Sequence, residues 1–197
     1  MVEQQLRARG IDSERVLDAM TAVPREAFLA ADVRESAYAD GALPIGEGQT
    51  MSQPWIVAFM AQLLELEGDE KVLEVGTGSG YGAAVLSRLC AHVVTVERHG
   101  PLAATAKSTL RDLGYTNVEV RNGDGTRGVA DRAPYDGISV TATARTQPPQ
   151  ALLDQLVPGA PIVIPIRRGG SEHLVRIRDG QAERLVPVRF VPLVGPE

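Results

Sequence analysis

The sequence contains little cysteine, no excess of positive charge and no long hydrophobic run. Cys90 is the only cysteine among 197 residues, which excludes a disulfide within the chain and argues against a secreted disulfide framework. Lysine and arginine number 20 and aspartate and glutamate 25, so the net charge of −5 lacks the basic footprint of a duplex nucleic-acid binder. No apolar run approaches the ~20 residues of a membrane span. We therefore expect no nucleic-acid partner and no membrane partner.

Two further absences concern targeting and metal binding. The first residues, MVEQQ, lack the basic-then-apolar order of a signal peptide, so we expect a cytoplasmic protein. The histidines, His92, His99 and His173, are too scattered to form a metal site with Cys90, and we expect no bound metal. The length suits one domain, which buries roughly 70% of the surface of its unfolded chain without a disulfide or metal.

The first quarter of the chain predicts a helical cap. Asp12 or Ser13 can cap a helix with one apolar face. Pro24 ends this helix or begins a short one that carries Phe28 and Leu29. The apolar face of the first helix comprises Val16, Leu17 and Met20.

A loop and a second amphipathic helix follow. Residues 40–50 hold three glycines and a proline, which predicts a shaped loop rather than a regular element. Ser52 is well placed as the N-cap of the next helix, because Pro54 is tolerated in a first turn. Apolar residues then recur at helical spacing, and Gly68 is predicted to end the helix. The apolar stripe comprises Ile56, Phe59, Met60, Leu63 and Leu64.

From residue 71 onward, short apolar strands alternate with helical stretches. Strands are predicted at 71–75, 92–97, 118–121, 135–140 and 161–166, with helices near 81–90, 101–113 and 148–156. This alternation predicts an α/β fold with a doubly wound, mostly parallel sheet covered on both faces. Asp179-Gly180 lies between two apolar segments, which predicts a hairpin and hence antiparallel C-terminal strands. Arg167 and Arg168, next to Gly169-Gly170, are interpreted as a solvated loop, with attraction of acidic peptides as the alternative.

The most informative stretch is VLEVGTGSGYG at residues 72–82, a buried strand that runs into four alternate glycines. Glycines at a strand-to-helix turn let the backbone approach a ligand at the carboxyl edge of a parallel sheet. Residues 78–83 match the letters of a nicotinamide fingerprint, but that frame begins too late and leaves Glu74 unexplained. An acidic residue followed by GxGxG, here Glu74 and the glycines from Gly76, favours S-adenosylmethionine (SAM) instead.

Acidic residues also follow the next two strands. Glu97 ends the second strand 21 residues after Gly76 and can accept both ribose hydroxyls of either cofactor, so it does not discriminate between them. Asp124 follows the third strand, where an aspartate can meet the adenine amino group. The cationic sulfonium and amine of SAM tolerate nearby carboxylates, whereas a pyrophosphate requires unpaired N–H groups and a positive field.

The loop before the second helix, LPIGEGQTMSQP, carries a specific resemblance. Together with the glycine loop, it resembles the protein-L-isoaspartate O-methyltransferases over nearly the whole chain. Further matching segments are VPREAF (23–28), VLEVGTGSGY (72–81), TVER (95–98), NGDG (122–125), APYD (133–136) and RFVPL (189–193). The resemblance implies one SAM-dependent methyltransferase domain over residues 1–197 with a Rossmann-like core at 70–197. Residues 1–69 would form the helical cap and substrate loop.

The same resemblance implies the activity and the site. The family methylates the abnormal α-carboxylate of L-isoaspartyl residues, and more weakly D-aspartyl residues, in damaged proteins. Its active-site serine falls on Ser52. Its SAM-binding positions fall on Gln49, Thr50, Met51, Ser52, Glu74, Gly76, Thr77, Gly78, Ser79, Gly80, Glu97, Arg98, Asp124 and Gly125. We expect isoaspartyl proteins and peptides as partners and a monomeric enzyme.

The chain departs from the family pattern at two internal positions. Gly82 stands where glutamine is expected, and Thr143 stands where alanine is expected; neither change removes a group that the chemistry needs. Two other functions stay open at this point, a dedicated methyltransferase for an aspartate in a ribosomally made peptide and a non-catalytic SAM-binding module. A nicotinamide oxidoreductase is disfavoured, because Lys71 and Lys107 are the only lysines and neither pairs plausibly with a tyrosine.

Overall fold

The computed structural model describes residues 1–195. Short 3₁₀ or π turns join the regular elements. The helices are α1 (Glu14–Ala22), α2 (Pro54–Leu63), α3 (Tyr81–Leu86), α4 (Gly100–Asp112) and α5 (Gln150–Leu153). The strands are β1 (Leu43–Gly46), β2 (Gln49–Met51), β3 (Lys71–Val75), β4 (His92–Glu97), β5 (Val118–Asn122), β6 (Gly137–Val140), β7 (Ile162–Arg168), β8 (Ser171–Arg178) and β9 (Gln181–Pro187).

Seven strands form one mixed sheet in the order β5-β4-β3-β6-β7-β8-β9. The first five strands are parallel, and β8 and β9 add to β7 as antiparallel strands. The predicted doubly wound sheet with antiparallel C-terminal strands is therefore confirmed. Strand order reverses between β3 and β6, and ligands bind at the carboxyl edge of such a switch point.

Both faces of the sheet are buried, which explains the continuous apolar runs of its central strands. Successive residues of β3 belong to different cores, since Val72 packs with the N-terminal helices and Leu73 packs on the side of α5. Val93 and Val94 of β4 divide in the same way. Within residues 1–195, no helix has the length and apolarity to cross a bilayer.

The C-terminal strands are joined by two tight turns. Asp179 and Gly180 adopt φ values of 49° and 73°, the left-handed conformation of a two-residue hairpin turn, as predicted. Gly169 and Gly170, at 58° and 87°, form a second such turn between β7 and β8. The interpretation of residues 167–168 as part of a solvated loop was wrong, because both arginines belong to β7 and pair with β8.

The N-terminal region follows the predicted cap, but the loop at residues 40–50 was misassigned. Ser13 caps α1 by accepting a hydrogen bond from Val16 N at 3.4 Å. Residues 43–51 form the antiparallel hairpin β1–β2, whose turn places Glu47 and Gly48 at φ values of 51° and 67°. The glycines that suggested an irregular loop instead allow a tight hairpin turn with positive φ values, so that two very short strands can pair.

The boundaries of α2 also differ from the prediction. Gln53, not Ser52, is the N-cap, because Pro54 occupies the first helical position and the N-cap is the residue before it. The helix ends at Leu63 rather than at Gly68, since Glu65 already adopts a left-handed φ of 56°. Ser52 is thereby left at the junction between β2 and α2.

Candidate active site

A cavity of about 980 Å³ opens at the carboxyl edge of the sheet. The end of β3 with the glycine loop, the end of β4, hairpin β1–β2 and the start of α2 form its walls. Most of the cofactor-binding residues predicted from the sequence line it: Gln49, Thr50, Met51, Ser52, Glu74, Gly76, Thr77, Gly78, Ser79, Glu97, Arg98 and Gly125. The fold thus brings residues from four separate segments into one site.

The glycine loop begins where Gly76 leaves β3 with a φ of 99°. A Cβ atom at Gly76 would lie 2.2 Å from Thr141 Oγ1, so a larger residue would have to displace the Thr141 side chain and would strain the backbone. The Thr141 hydroxyl donates a hydrogen bond to the Gly76 carbonyl at 2.8 Å and ties the loop to the end of β6. Thr141 was missed in the sequence, because its role depends on strand pairing.

Two predicted residues, Gly80 and Asp124, lie outside the cavity lining. Gly80 is the left-handed N-cap of α3, and its backbone packs against α4, where an added Cβ would lie 3.2 Å from Leu110 Cδ1. Asp124 Oδ1 accepts hydrogen bonds from Thr126 N and Oγ1, at 2.9 and 2.7 Å. Asp124 Oδ2 is buried and has no hydrogen-bond partner within residues 1–195.

Glu97 is held in place by two backbone donors. Gly78 N donates to Glu97 Oε2 and His99 N donates to Oε1, both at 2.9 Å. The side chain is almost completely buried at the end of β4. Each carboxylate oxygen keeps lone-pair capacity for one more donor, so the oriented carboxylate can receive a pair of neighbouring hydroxyls.

Glu74 lies beneath the loop, buried in β3. Thr95 Oγ1 donates to Glu74 Oε2 at 2.6 Å, and the Thr77 hydroxyl bonds in turn to Thr95 Oγ1 at 2.7 Å. Burial raises the pKa of the Glu74 carboxyl to about 8; the Thr95 hydrogen bond opposes this rise, and the charge of Glu97 adds to it. Burial thus favours the neutral, protonated form of Glu74 in the protein without ligand.

Gly82, the departure from the expected glutamine, lies against the same side chain. A Cβ atom at Gly82 would lie 2.3 Å from Glu74 Oε1. The absence of a side chain on α3 gives the Glu74 carboxyl the space that it occupies. A residue with a Cβ at position 82 would require Glu74 to adopt another position.

The raised pKa of Glu74 makes a testable prediction about stability. Between pH 4.5 and about 8 the unfolded chain releases this proton while the folded protein keeps it, so this group's contribution to stability falls as pH rises. The Glu74→Gln variant has no carboxyl at this position, so its free energy of unfolding does not decline for this reason. As the pH rises from 5 to 8, the free energy of unfolding of the variant minus that of wild type is expected to increase by at most about 1.4 kcal/mol per pH unit.

Urea unfolding of both proteins without cofactor at pH 5.5, 7 and 8.5 measures this difference. Other titrating groups are common to both proteins and cancel in the comparison. A difference that stays constant across the three pH values contradicts the raised pKa.

Ser52 is anchored by a buried arginine. Arg25 Nη2 donates to the Ser52 carbonyl and Nε to the Ala37 carbonyl, each at 2.7 Å. The guanidinium lies 4.7 Å from the centroid of the Tyr81 ring, and burial lowers its pKa. No residue within 1–195 engages Ser52 Oγ, so this hydroxyl is available to a ligand in the cavity.

The start of α2 supplies the neighbouring wall. Trp55 lines the cavity, stacks on Phe59 with a centroid distance of 4.9 Å and donates from Nε1 to the Arg9 carbonyl. Trp55 thus both lines the cavity and packs along the face of α2. His99 also lines the cavity, and its Nδ1 lies 3.6 Å from Glu47 Oε2 at the tip of hairpin β1–β2.

The last wall is the C-terminal segment (residues 187–194), all of which lines the cavity. It is bound to the loop after β6, where Thr143 N donates to the Val191 carbonyl and Leu193 N donates to the Thr143 carbonyl, both at 2.8 Å. The sequence contained a signal for this segment, because RFVPL matched the family pattern, but no role was attached to it. The predicted site residues thus omitted one complete wall.

The geometry defines a class of protein. At the switch point of the parallel strands, β3 carries the acidic residue Glu74 and leads into the glycine loop, and β4 ends in a second acidic residue, Glu97. Glu74 and Glu97 suit a cationic cofactor with a ribose diol better than a pyrophosphate. This is the arrangement of a SAM-dependent methyltransferase.

Comparison with known proteins gives the family. The family model described as protein-L-isoaspartate(D-aspartate) O-methyltransferase matches residues 1–197. A protein-L-isoaspartate O-methyltransferase of Pelobacter propionicus is 52% identical over 203 residues, which cover 100% of this chain and 90% of the relative. The chain belongs to the protein-L-isoaspartate (D-aspartate) O-methyltransferase family.

Solved structures agree with this assignment. A protein-L-isoaspartate O-methyltransferase superposes with a TM-score of 0.88 at 30% identity, and the match covers 99% of this chain and 66% of the other, just under two thirds of its length. A beta-aspartate methyltransferase from Plasmodium falciparum, in complex with S-adenosyl-L-homocysteine, superposes with a TM-score of 0.85 at 24% identity. That match covers 98% of this chain and 96% of the other and supports the fold.

Proposed function

We propose that this protein transfers a methyl group from SAM to the free α-carboxylate of L-isoaspartyl residues, and more weakly D-aspartyl residues, in damaged proteins and peptides. One observation carries the proposal: Ser52 lines the same cavity as Glu74, the glycine loop and Glu97, in a chain of this family. The ester then forms a succinimide with the following backbone nitrogen without enzyme assistance, and hydrolysis yields partly normal aspartate.

The residues of the cavity fit SAM. Glu97 would accept hydrogen bonds from the ribose hydroxyls. Asp124 lies next to the lining residue Gly125, and its Oδ2, which is 3.5 Å from Arg127 Nε and accepts no hydrogen bond within residues 1–195, would accept one from the adenine amino group. Glu74, whose neutral form is favoured by burial, would lose its proton or accept a hydrogen bond when the cationic amine binds nearby. The bound cofactor supplies an activated methyl group on a sulfonium. The other predicted positions would surround it through backbone contacts.

The acceptor needs positioning rather than a general base, because a carboxylate with a pKa near 4 is already ionised at neutral pH. The Ser52 hydroxyl would donate a hydrogen bond to the substrate carboxylate and orient its attacking oxygen. The first turn of α2 adds the backbone N–H groups of Trp55 and Ile56, which have no partner within the helix. The positive end of the helix dipole favours the same anion.

Radiolabelled methyl transfer from SAM tests the activity. Two peptides that differ only in isoaspartate against aspartate at one position serve as substrates. The proposal expects base-labile label on the isoaspartyl peptide alone. Label on the aspartyl peptide as well would contradict selectivity for isoaspartate, and label on neither, with SAM still bound, would indicate a dedicated peptide partner or a binding module.

Ser52→Ala tests the proposed role of the serine. Loss of one hydrogen bond to a charged group is worth roughly 1.5–3 kcal/mol, so kcat is expected to fall by about ten- to a hundredfold. The dissociation constant of SAM should stay within about twofold, because the serine hydroxyl acts on the acceptor. Ser108→Ala, at a half-buried serine on α4 that does not line the cavity, serves as the matched control. Full turnover of Ser52→Ala would reduce the serine to a structural role.

Three expectations from the sequence stay predictions. They are the cytoplasmic location, the monomeric state and the division of a single domain at residue 70. Light scattering of the purified protein at micromolar concentration would test the monomeric state. A mass near 21.0 kDa is the expected result.

A further inference from the structure

Glu172, on β8, forms a junction between three parts of the chain. Its Oε1 accepts hydrogen bonds from the Arg167 guanidinium on β7, and its Oε2 accepts one from Thr143 Oγ1 at 3.0 Å. Phe190 N in the C-terminal segment donates to the same Oε2 at 3.2 Å. The backbone carbonyl of Glu172 also accepts from Val188 N at 3.0 Å.

This junction is a mostly buried hydrogen-bond network rather than a surface ion pair. The Glu172 side chain is only 11% exposed, and Thr143 is buried. Burial opposes ionisation of Glu172, but the hydrogen bonds from Arg167, Phe190 N and Thr143 together hold the pKa of its carboxyl below the usual value. A charged carboxylate therefore holds the C-terminal segment at working pH.

Thr143, which stands where alanine is expected, contributes its hydroxyl to this junction. An alanine at this position would lack the hydroxyl that donates to Glu172. The backbone of Thr143 binds the C-terminal segment on both sides of Pro192, through Val191 and Leu193. Glu172 and Thr143 thus both form hydrogen bonds with the C-terminal segment, although neither residue lines the cavity.

The position of the segment in the cavity indicates what it contacts. The residues that suit the cofactor lie at the ends of β3 and β4, where a nucleotide spans the switch point. The C-terminal segment is bound to the loop after β6, and β6 lies on the other side of β3 from β4. This wall is therefore the one left for the peptide acceptor.

We propose that Glu172 is a positioning residue that sets the affinity for the peptide substrate by fixing the C-terminal segment against Thr143. The proposal rests on the proposed function for the nature of the substrate. The fixation of the segment itself does not depend on any activity.

Glu172→Gln tests the proposal, because glutamine keeps the size but removes the charge and replaces one acceptor oxygen with an amide N–H₂, which then faces N–H donors of Arg167 or Phe190. The expected result is a rise of about tenfold in the KM for the isoaspartyl peptide, with kcat and the dissociation constant of SAM within about twofold. Thr143→Ala should raise the KM by about threefold, and Thr143→Ser should restore it, since serine returns the hydroxyl. Glu183→Gln, which removes another carboxylate paired with an arginine on the same sheet, is the matched control.

A second readout uses the protein without substrate or cofactor. Hydrogen exchange of the Phe190 amide should accelerate about tenfold in Glu172→Gln and less in Thr143→Ala, while the amides of β3 and β4 stay protected. Unchanged Phe190 exchange, or faster exchange without a change in KM, overturns the proposal. A parallel loss of kcat, SAM affinity and stability would show a merely structural role and overturn it too.

The two proposals fail in different ways. If the wild type does not methylate the isoaspartyl peptide, the proposed function fails, and the KM part of this inference fails with it. The exchange measurement still decides whether Glu172 fixes the segment. Should Glu172→Gln not fold, the Thr143 variants carry both measurements.

Discussion

Glu97→Ala is expected to raise the dissociation constant of SAM by about a hundredfold or more. The carboxylate of Glu97 is the oriented acceptor at the end of β4, and its loss removes the bonds to both ribose hydroxyls. Each hydrogen bond to a charged group contributes roughly 1.5–3 kcal/mol, so two account for a factor of about 10² to 10⁴. Gly78 N and His99 N would also lose their shared acceptor, which loosens the glycine loop.

Isothermal titration with SAM measures this loss directly. Glu97→Gln serves as the conservative comparison, since its single amide oxygen can serve only one side of the site, and an intermediate affinity is expected. At saturating SAM, both variants should methylate the peptide with a kcat near that of wild type. An affinity of Glu97→Ala within threefold of wild type contradicts the assignment of Glu97 to the ribose.

Arg25→Met is expected to lower the free energy of unfolding by about 3 kcal/mol or more, since two hydrogen bonds from a charged group are lost and each contributes roughly 1.5–3 kcal/mol. Arg25 is completely buried, and no carboxylate within residues 1–195 pairs with it. Methionine fills much of the same space but leaves the carbonyls of Ala37 and Ser52 without their donor. Because Ser52 loses its anchor, kcat should fall as well.

Urea unfolding and peptide methylation measure the two effects separately. Arg25→Lys keeps the charge, but a single ammonium lacks the planar fork that reaches both carbonyls, so a partial loss is expected. Arg34→Met, which removes one hydrogen bond to the Leu29 carbonyl in the same region, is the control. Unchanged kcat in a folded Arg25→Met protein would show that the arginine supports the fold without positioning Ser52.

The sequence predicted the central sheet well because its signals are local. Strands 71–75 and 92–97 were found at those residues, since each is an apolar run long enough for a buried strand. Hairpin β1–β2 was missed because strands of four and three residues leave no alternation to recognise. The N-cap of α2 was misplaced by one residue because serine is a good cap only where the backbone turns, and Pro54 moves that turn to Gln53.

The sequence by itself determined the order of elements, the glycine loop with its two acidic residues and the family that these motifs define. Only the tertiary structure decided what holds the site together. Arg25 reaches Ser52 across 27 positions of the chain, and Glu172 reaches Phe190 across 18. Such contacts leave no periodic pattern, because a buried polar side chain finds its partners through the packing of whole elements. Local motifs in the sequence therefore predict the chemistry of the site, whereas the wall formed by the C-terminal segment depends on contacts that form only when the chain folds.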